Sequence, residues 1–286
     1  MKTFSVVGAL ALAIAAAPAF AADLPSQKGA PAFIAPAAPV FSWTGLYAGV
    51  NIGYGFNAGG NGSGSLFSPL ATPSVSAWSL GQNLEGVTGG GQIGYNYQVN
   101  PWLVVGLEAD FQGSDISSSS SGFVKGFFLG DVTGISSTSS LNWWGTVRGR
   151  VGVTLPSLPN VLVYGTGGFA YGEVDKSVSV VNFPIPPAGS SQFGRSSFSQ
   201  TATGWTAGGG VEWAPLAFPG WSVKVEYLYT DLGATNQSFA SSSIIGVGVP
   251  FVAAHTSPTQ FHTVRAGLNY RFNLFGSALV PVVAKY

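Results

Sequence analysis

The chain has 286 residues, and its 11 Lys and Arg balance 11 Asp and Glu, so the formal charge at neutral pH is zero and draws no nucleic acid or anionic surface. It has no Cys, which excludes disulfides, thiolate nucleophiles, cysteine metal sites and a lipoprotein anchor. Charged residues are only 8% and 41 residues are Gly, against about 25% charge in a water-soluble domain. Beyond the N-terminal run, no stretch reaches the roughly 18 apolar residues of a membrane helix. A barrel in an outer membrane reconciles the two facts, because its greasy residues sit singly at alternate positions.

Residues 1–21 read as a secretory signal peptide: Lys2 supplies the positive start, Val6 to Ala17 is small and apolar, and Ala19 and Ala21 fit the cleavage rule. The segment 22–42 is rich in Pro and Ala and reads as an extended periplasmic linker. The barrel is expected over 43–272, with a tail at 273–286.

The first strand, Thr44 to Asn57, sets Leu46, Ala48, Val50, Ile52, Tyr54 and Phe56 against Gly45, Tyr47, Gly49, Asn51, Gly53 and Gly55. Alternation sustained this long suits a tilted membrane strand, which needs about 9–11 residues plus overhang. The second, Val87 to Gln98, sets Ile93, Tyr95 and Tyr97 against Gln92, Gly94 and Asn96, and ends in an Asn100-Pro101 turn. The third, Trp102 to Gln112, puts Leu103, Val105, Leu107, Ala109 and Phe111 on one face and Glu108 and Asp110 on the other. The fourth, Leu141 to Val153, places Leu141, Trp143, Val147, Val151 and Val153 outside, with Asn142, Thr146, Arg148 and Arg150 inside. The fifth, Val161 to Glu173, permits either phase. The sixth, Thr201 to Trp213, sets Trp205, Ala207, Val211 and Trp213 against Thr206, Gly208 and Glu212. The seventh, Trp221 to Thr230, sets Trp221, Val223, Val225, Tyr227 and Tyr229 against Ser222, Lys224, Glu226 and Leu228. The eighth, Gln260 to Phe272, alternates Val264, Ala266, Leu268, Tyr270 and Phe272 with Thr263, Arg265, Gly267, Asn269 and Arg271.

The connections run about 29, 3, 28, 7, 27, 7 and 29 residues, long and short in strict alternation. That rhythm predicts an all-β, eight-stranded antiparallel up-and-down transmembrane barrel with four long external loops and three short periplasmic turns. The long segments are rich in Ser and Gly, with five serines running from Ser117 to Ser121, and read as loops facing water. A faint repeat, Gly89 to Gly91 with Glu108 and Gly208 to Gly210 with Glu226, reads as shared hairpin geometry.

On this phase every strand charge assigned to a face points inward: Glu108, Asp110, Arg148, Arg150, Glu212, Lys224, Glu226 and Arg265. Four acids and four bases suggest a paired lumen network, since an eight-stranded barrel is only wide enough for its own side chains. The other reading is a narrow solute path. Trp43, Tyr95, Tyr97, Trp102, Trp143, Trp205, Trp213, Trp221, Tyr227 and Tyr229 cluster near strand ends and read as two interfacial girdles. His262 and Asp231 fall at one rim and, with a loop serine, form the one arrangement considered for nucleophilic catalysis. No motif accompanies them, so the chain reads as no enzyme, and it shows no catalytic, cofactor or metal residues. Its expected partners are outer-membrane lipids and lipopolysaccharide.

Arg265, Gly267, Tyr270 and Phe272 resemble the C-terminal signal strand of bacterial outer-membrane barrels, which the barrel-assembly machinery reads during insertion. Asn273 to Tyr286 follow this strand, so Phe272 and Tyr286 are both candidate ends. Five blocks resemble the porin-family small outer-membrane proteins, often called outer-membrane immunogenic proteins, of the OmpA-like transmembrane β-barrel superfamily. They are Phe41 to Gly49, Asn142 to Gly152, Tyr164 to Gly172, Gly204 to Glu212 and His262 to Tyr270. The resemblance implies an abundant structural envelope protein without cofactor or shared catalytic residues. Some relatives are described as weak porins, others as heme binders or host-surface contacts. The expected function is therefore a structural barrel supporting envelope integrity. The alternatives are a narrow porin for small polar solutes, or surface-loop binding of heme, a glycan or a host protein.

Overall fold

The computed structural model describes residues 41–68, 75–125, 132–183, 191–243 and 250–272. The signal peptide, residues 22–40 of the linker and the tail 273–286 lie outside the described residues. Eight antiparallel strands form a ring: β1 (Gly45–Asn57), β4 (Gly86–Asn100), β5 (Leu103–Lys125), β6 (Val132–Leu155), β7 (Leu158–Phe183), β8 (Gln192–Trp213), β9 (Trp221–Ala240) and β11 (Val252–Phe272). A hairpin, β2 (Asn61–Phe67) with β3 (Val75–Gly81), lies between β1 and β4 in the chain, and a short strand β10 (Ser242–Ser243) pairs with β8. The ring closes where β1 pairs with β11, from Leu46 opposite Phe272 to Asn57 opposite Phe261. Within the membrane part of the ring, closure leaves no unpaired edge, which a membrane-spanning sheet requires.

The outward face is apolar where a membrane would lie. Val50, Ile52 and Leu107 are 63%, 64% and 67% exposed, a pattern water would penalise and lipid would not. On β11 the band runs from His262 to Phe272. That is about 34 Å of strand, or about 26 Å of height at a tilt of about 40°. Aromatic rings mark its upper edge: Phe111 lies 5.5 Å from Trp143, Trp143 lies 6.2 Å from Tyr171, and Trp205 lies 5.2 Å from Tyr229.

Above that edge the strands continue, which differs from the expected loops. Strands β5, β6 and β7 are 23, 24 and 26 residues long, and Ser117 to Ser121 are paired in register with Ser140 to Ser136. The serines pair because their neighbours across the sheet are already aligned by the membrane part. Strands β1 and β4 stop near the edge of the band, and the β2–β3 hairpin takes over the wall, with Val252 to Thr256 of β11 paired to Phe67 to Ser63.

Two bulges change the phase of the wall. One falls between Gly113 and Ile116 on β5, and one between Leu141 and Trp143 on β6. The extra residue turns Leu141 inward, 1% exposed, and leaves Asn142 outside, donating to Asp175 at 2.6 Å. This reverses the sequence expectation for both residues. On β9 the shift is absorbed at Gly233, whose φ of 80° lies in the left-handed region that favours glycine. The phase of β7 is also decided: Leu162, Tyr164 and Val174 point in, while Val163 and Phe169 point out.

The interior is stacked in levels. With the short-turn end called lower, the bottom is a stopper of Trp43, Val104, Leu162, Tyr164 and Ala214. Trp43 is therefore inside and not in a girdle; it is 1% exposed and donates its indole N–H to the Pro159 carbonyl at 2.9 Å. Higher up, an apolar partition holds Leu84, Ile116, Leu141, Trp144, Val174, Leu228 and Phe261, with Trp144 edge-on to Phe261 at 5.4 Å. Near the top an apolar cap gathers Leu66, Ile135, Val178, Val180, Phe251 and Ala253. Polar side chains fill the two gaps between these apolar layers.

Candidate functional site

The lower gap holds all eight inward charges named from the sequence, each no more than 4% exposed. Strand parity brings them inside, and register then pairs Glu108 with Arg148, Glu212 with Lys224 and Glu226 with Arg265 on neighbouring strands. Arg148 binds Glu108 at 2.5 Å, Asp110 at 3.0 Å and Glu226 at 3.0 Å. Arg265 binds Asp110 at 2.9 Å and Glu226 at 2.6 Å. Arg150 binds Glu212 at 2.8 Å, and Lys224 binds Glu108 at 2.7 Å.

The last contact has a particular geometry. Glu108 stands on β5 and Lys224 on β9, which are four steps apart in a ring of eight. The link therefore spans the barrel's diameter. Arg148 to Glu226 and Arg265 to Asp110 cross the same space between walls. Buried ions at this density are stable only when paired and further hydrogen-bonded. Every ion of the level is paired, and Asp110 Oδ1, Arg150 Nε and Arg265 Nη1 are the charged-group atoms left without a hydrogen bond. Tyr47 donates to Glu108 at 2.7 Å and accepts from Arg150 at 2.9 Å. Tyr164 donates to Glu226 at 3.0 Å while the Arg150 guanidinium lies 3.9 Å over its ring. Ser222 and Asn269 donate to Glu212, and Thr146 donates to Asp110.

Sequence reasoning did not single out Tyr47, Tyr164, Ser222 and Asn269 as members of this network. Inward parity was the available signal for Tyr47, Ser222 and Asn269, and Tyr164 lay on the one strand of open phase. Two glycines make room for the tyrosines: a Cβ on Gly94 would collide with the Tyr47 hydroxyl, and one on Gly210 would stand 2.8 Å from that of Tyr164.

The catalytic arrangement considered from sequence is not assembled. His262 lies on the outer aromatic edge, bonded through Nδ1 to the Tyr227 hydroxyl at 2.7 Å and close to Phe56 and Tyr229. Asp231 instead accepts from Gln260 at 2.9 Å and from the Gly233 backbone at 2.7 Å. Pairing sets Gln260 opposite Asp231, and His262 opposite Tyr229. Among the described residues no group of three His, Asp or Glu side chains could hold a metal ion. On β11, Arg265 and Gly267 face the lumen, while Tyr270 and Phe272 face outward at the lower edge of the band, with Tyr270 5.2 Å from Trp221.

A family model described as the outer membrane protein beta-barrel domain matches residues 7–272. The 31 kDa outer-membrane immunogenic protein of Brucella melitensis is 39% identical over 274 residues, which cover 94% of this chain and 99% of the relative. The 22 kDa outer membrane protein of Rhizobium leguminosarum is 29% identical over 231 residues, covering 76% and 82%. Among solved structures, OprG of Pseudomonas aeruginosa aligns with a TM-score of 0.39 at 13% identity, over 80% of this chain and 97% of its own. The chain belongs to the outer membrane protein β-barrel domain family and is an outer-membrane protein.

Proposed function

We propose that the protein is a structural barrel that tightens the envelope and carries no open pore. The observation that supports this is the Glu108–Lys224 link across the diameter, at 2.7 Å, within a level whose four acids and four bases cancel. Water and solutes passing upward would have to replace that network and then cross the apolar partition. Its partners on this reading are the lipids and lipopolysaccharide around the apolar band, and it has no reaction to catalyse. Recording from the purified protein in planar bilayers tests the closure. The expected trace shows no steady conductance; a large, steady one from the wild type would overturn the reading.

The final strand serves assembly on the same reading, with Tyr270 and Phe272 presented outward for the machinery that inserts barrels. Phe272→Ala is expected to lower the outer-membrane level of the protein several-fold, and Tyr286→Ala much less. Equal levels of the Phe272→Ala variant and the wild type would remove the assignment.

A further inference from the structure

The upper gap, between partition and cap, is polar and its charge is of one sign. Lys176 on β7 is 4% exposed and reaches across the lumen to β11. There its ammonium donates to the Ser257 carbonyl at 2.5 Å, the Ser257 hydroxyl at 2.9 Å and, at 3.5 Å, the Pro258 carbonyl. All three acceptors are neutral. Among the described residues no carboxylate lies within ion-pair distance of Lys176, and the acids beside it in the chain are turned outward. Asp175 is bonded to Asn142 and Glu173 to Ser199. This gap lies above the membrane band, and burial alone pushes the Lys176 ammonium down to about 8, so at neutral pH it is still charged.

Around the ammonium stand buried groups without partners. The Trp78 indole N–H and the Gln237 amide N–H groups are unpartnered. His255, 3% exposed, is stacked on Trp78 at 6.1 Å and bonds the Ser63 backbone. Gln82 donates to the Ser257 hydroxyl at 2.5 Å and, like Gln237, has a free amide oxygen. Burying a cation without a counter-charge and several donors without acceptors is costly on both counts. The lower gap avoids the first cost with its own carboxylates, although Arg150 Nε and Arg265 Nη1 there are also without partners.

We infer that the upper gap is a binding site for a small inorganic anion, held with its water between the Lys176 ammonium and the donors of Gln237 and Trp78. The walls limit its size. On β7 partition and cap are represented by Val174 and Val178, about 13 Å apart along the strand. The gap therefore takes one row of side chains and an ion of a few atoms, not an extended solute. The amide oxygens of Gln82 and Gln237 take the protons of the anion's water.

The test uses the full-length folded barrel. Crystals soaked in sodium bromide are expected to show an anomalous peak beside the Lys176 ammonium. Melting in bromide or phosphate, against gluconate at equal ionic strength, is expected to rise by several degrees in the wild type and not in Lys176→Met. A rise with bromide identifies a halide-sized site, and a rise with phosphate alone an oxyanion site. An anomalous map showing only water at that place overturns the inference, whether or not the variant folds. So does an equal anion response in wild type and Lys176→Met.

Discussion

The two polar levels of this barrel sit a few turns of sheet apart and solve the same problem differently. In the lower level each carboxylate meets at least one cation, and the tyrosine hydroxyls occupy acceptors left over. In the upper level one cation meets only neutral oxygens, and the Trp78 indole and the Gln237 amide are without partners. Burial is nearly the same in both. What differs is the supply of opposite charge, and this makes the lower level a self-sufficient plug and the upper one a place that an outside ion completes.

The comparison can be broken most forcefully from below. Glu108→Ala removes the carboxylate that Arg148 and Lys224 share, leaving the Lys224 ammonium without its ion-pair partner while Arg148 keeps Asp110 and Glu226. It should cost about 3–5 kcal/mol, read as a drop in the denaturant midpoint of the folded barrel. A loss under about 1 kcal/mol would mean that the ions are not paired as described.

Above, pH does the equivalent work. The ordinary value of Lys176 is 10.5 and its value in the fold is about 8. Between those values the unfolded chain keeps a proton that the folded chain has shed, so stability rises with pH across that window. The full gain is about 3 kcal/mol in anion-poor buffer, and below about pH 8 the penalty stands complete. His255 is also held below its ordinary value, first by burial and then by Lys176. Acid below about pH 6.5 should therefore weaken the upper level further. Denaturant midpoints followed with pH in wild type and Lys176→Met check this, because the rise between pH 8 and 10.5 should vanish in the variant.

Smaller effects sharpen the lower level. Gly94→Ala drives a methyl into the Tyr47 side chain, which bridges Glu108 and Arg150, and should cost about 1–3 kcal/mol. Gly149→Ala, whose methyl on the outer face would stand 3.9 Å from the Gly167 carbonyl oxygen, should change stability by less than about 0.5 kcal/mol. If the two variants melt alike, the tightness around Tyr47 is not what holds the plug.

Much of this was legible in the residues. Parity alone placed Glu108, Arg148, Lys224 and Arg265 inside, because alternation is a local property of an extended chain. The outward band from Val50 to Phe56 and from Val223 to Tyr229 could be read in the same way. The upper extension could not be read so. In Ser117 to Ser121 both faces are polar, so periodicity carries no signal, and pairing with Ser136 to Ser140 follows only from strands aligned lower down. Leu141 and Asn142 were misread because a bulge inserts one residue and inverts the phase beyond it. Trp43 was misread because aromatics near a strand end serve equally as a girdle or a stopper until the ring shows which side faces in.

By itself, then, the sequence determined the faces of most membrane residues outside the fifth strand and the bulge, how many strands cross, and that the charges of the lower level balance. Only the tertiary structure decided which charges meet. Glu108 and Lys224 are far apart in the chain and face each other because ring closure sets β5 opposite β9. The same closure carries Lys176 to Ser257 on a wall that offers it no acid. Parity is set residue by residue, whereas a partner across a lumen exists only once the sheet has met its own edge.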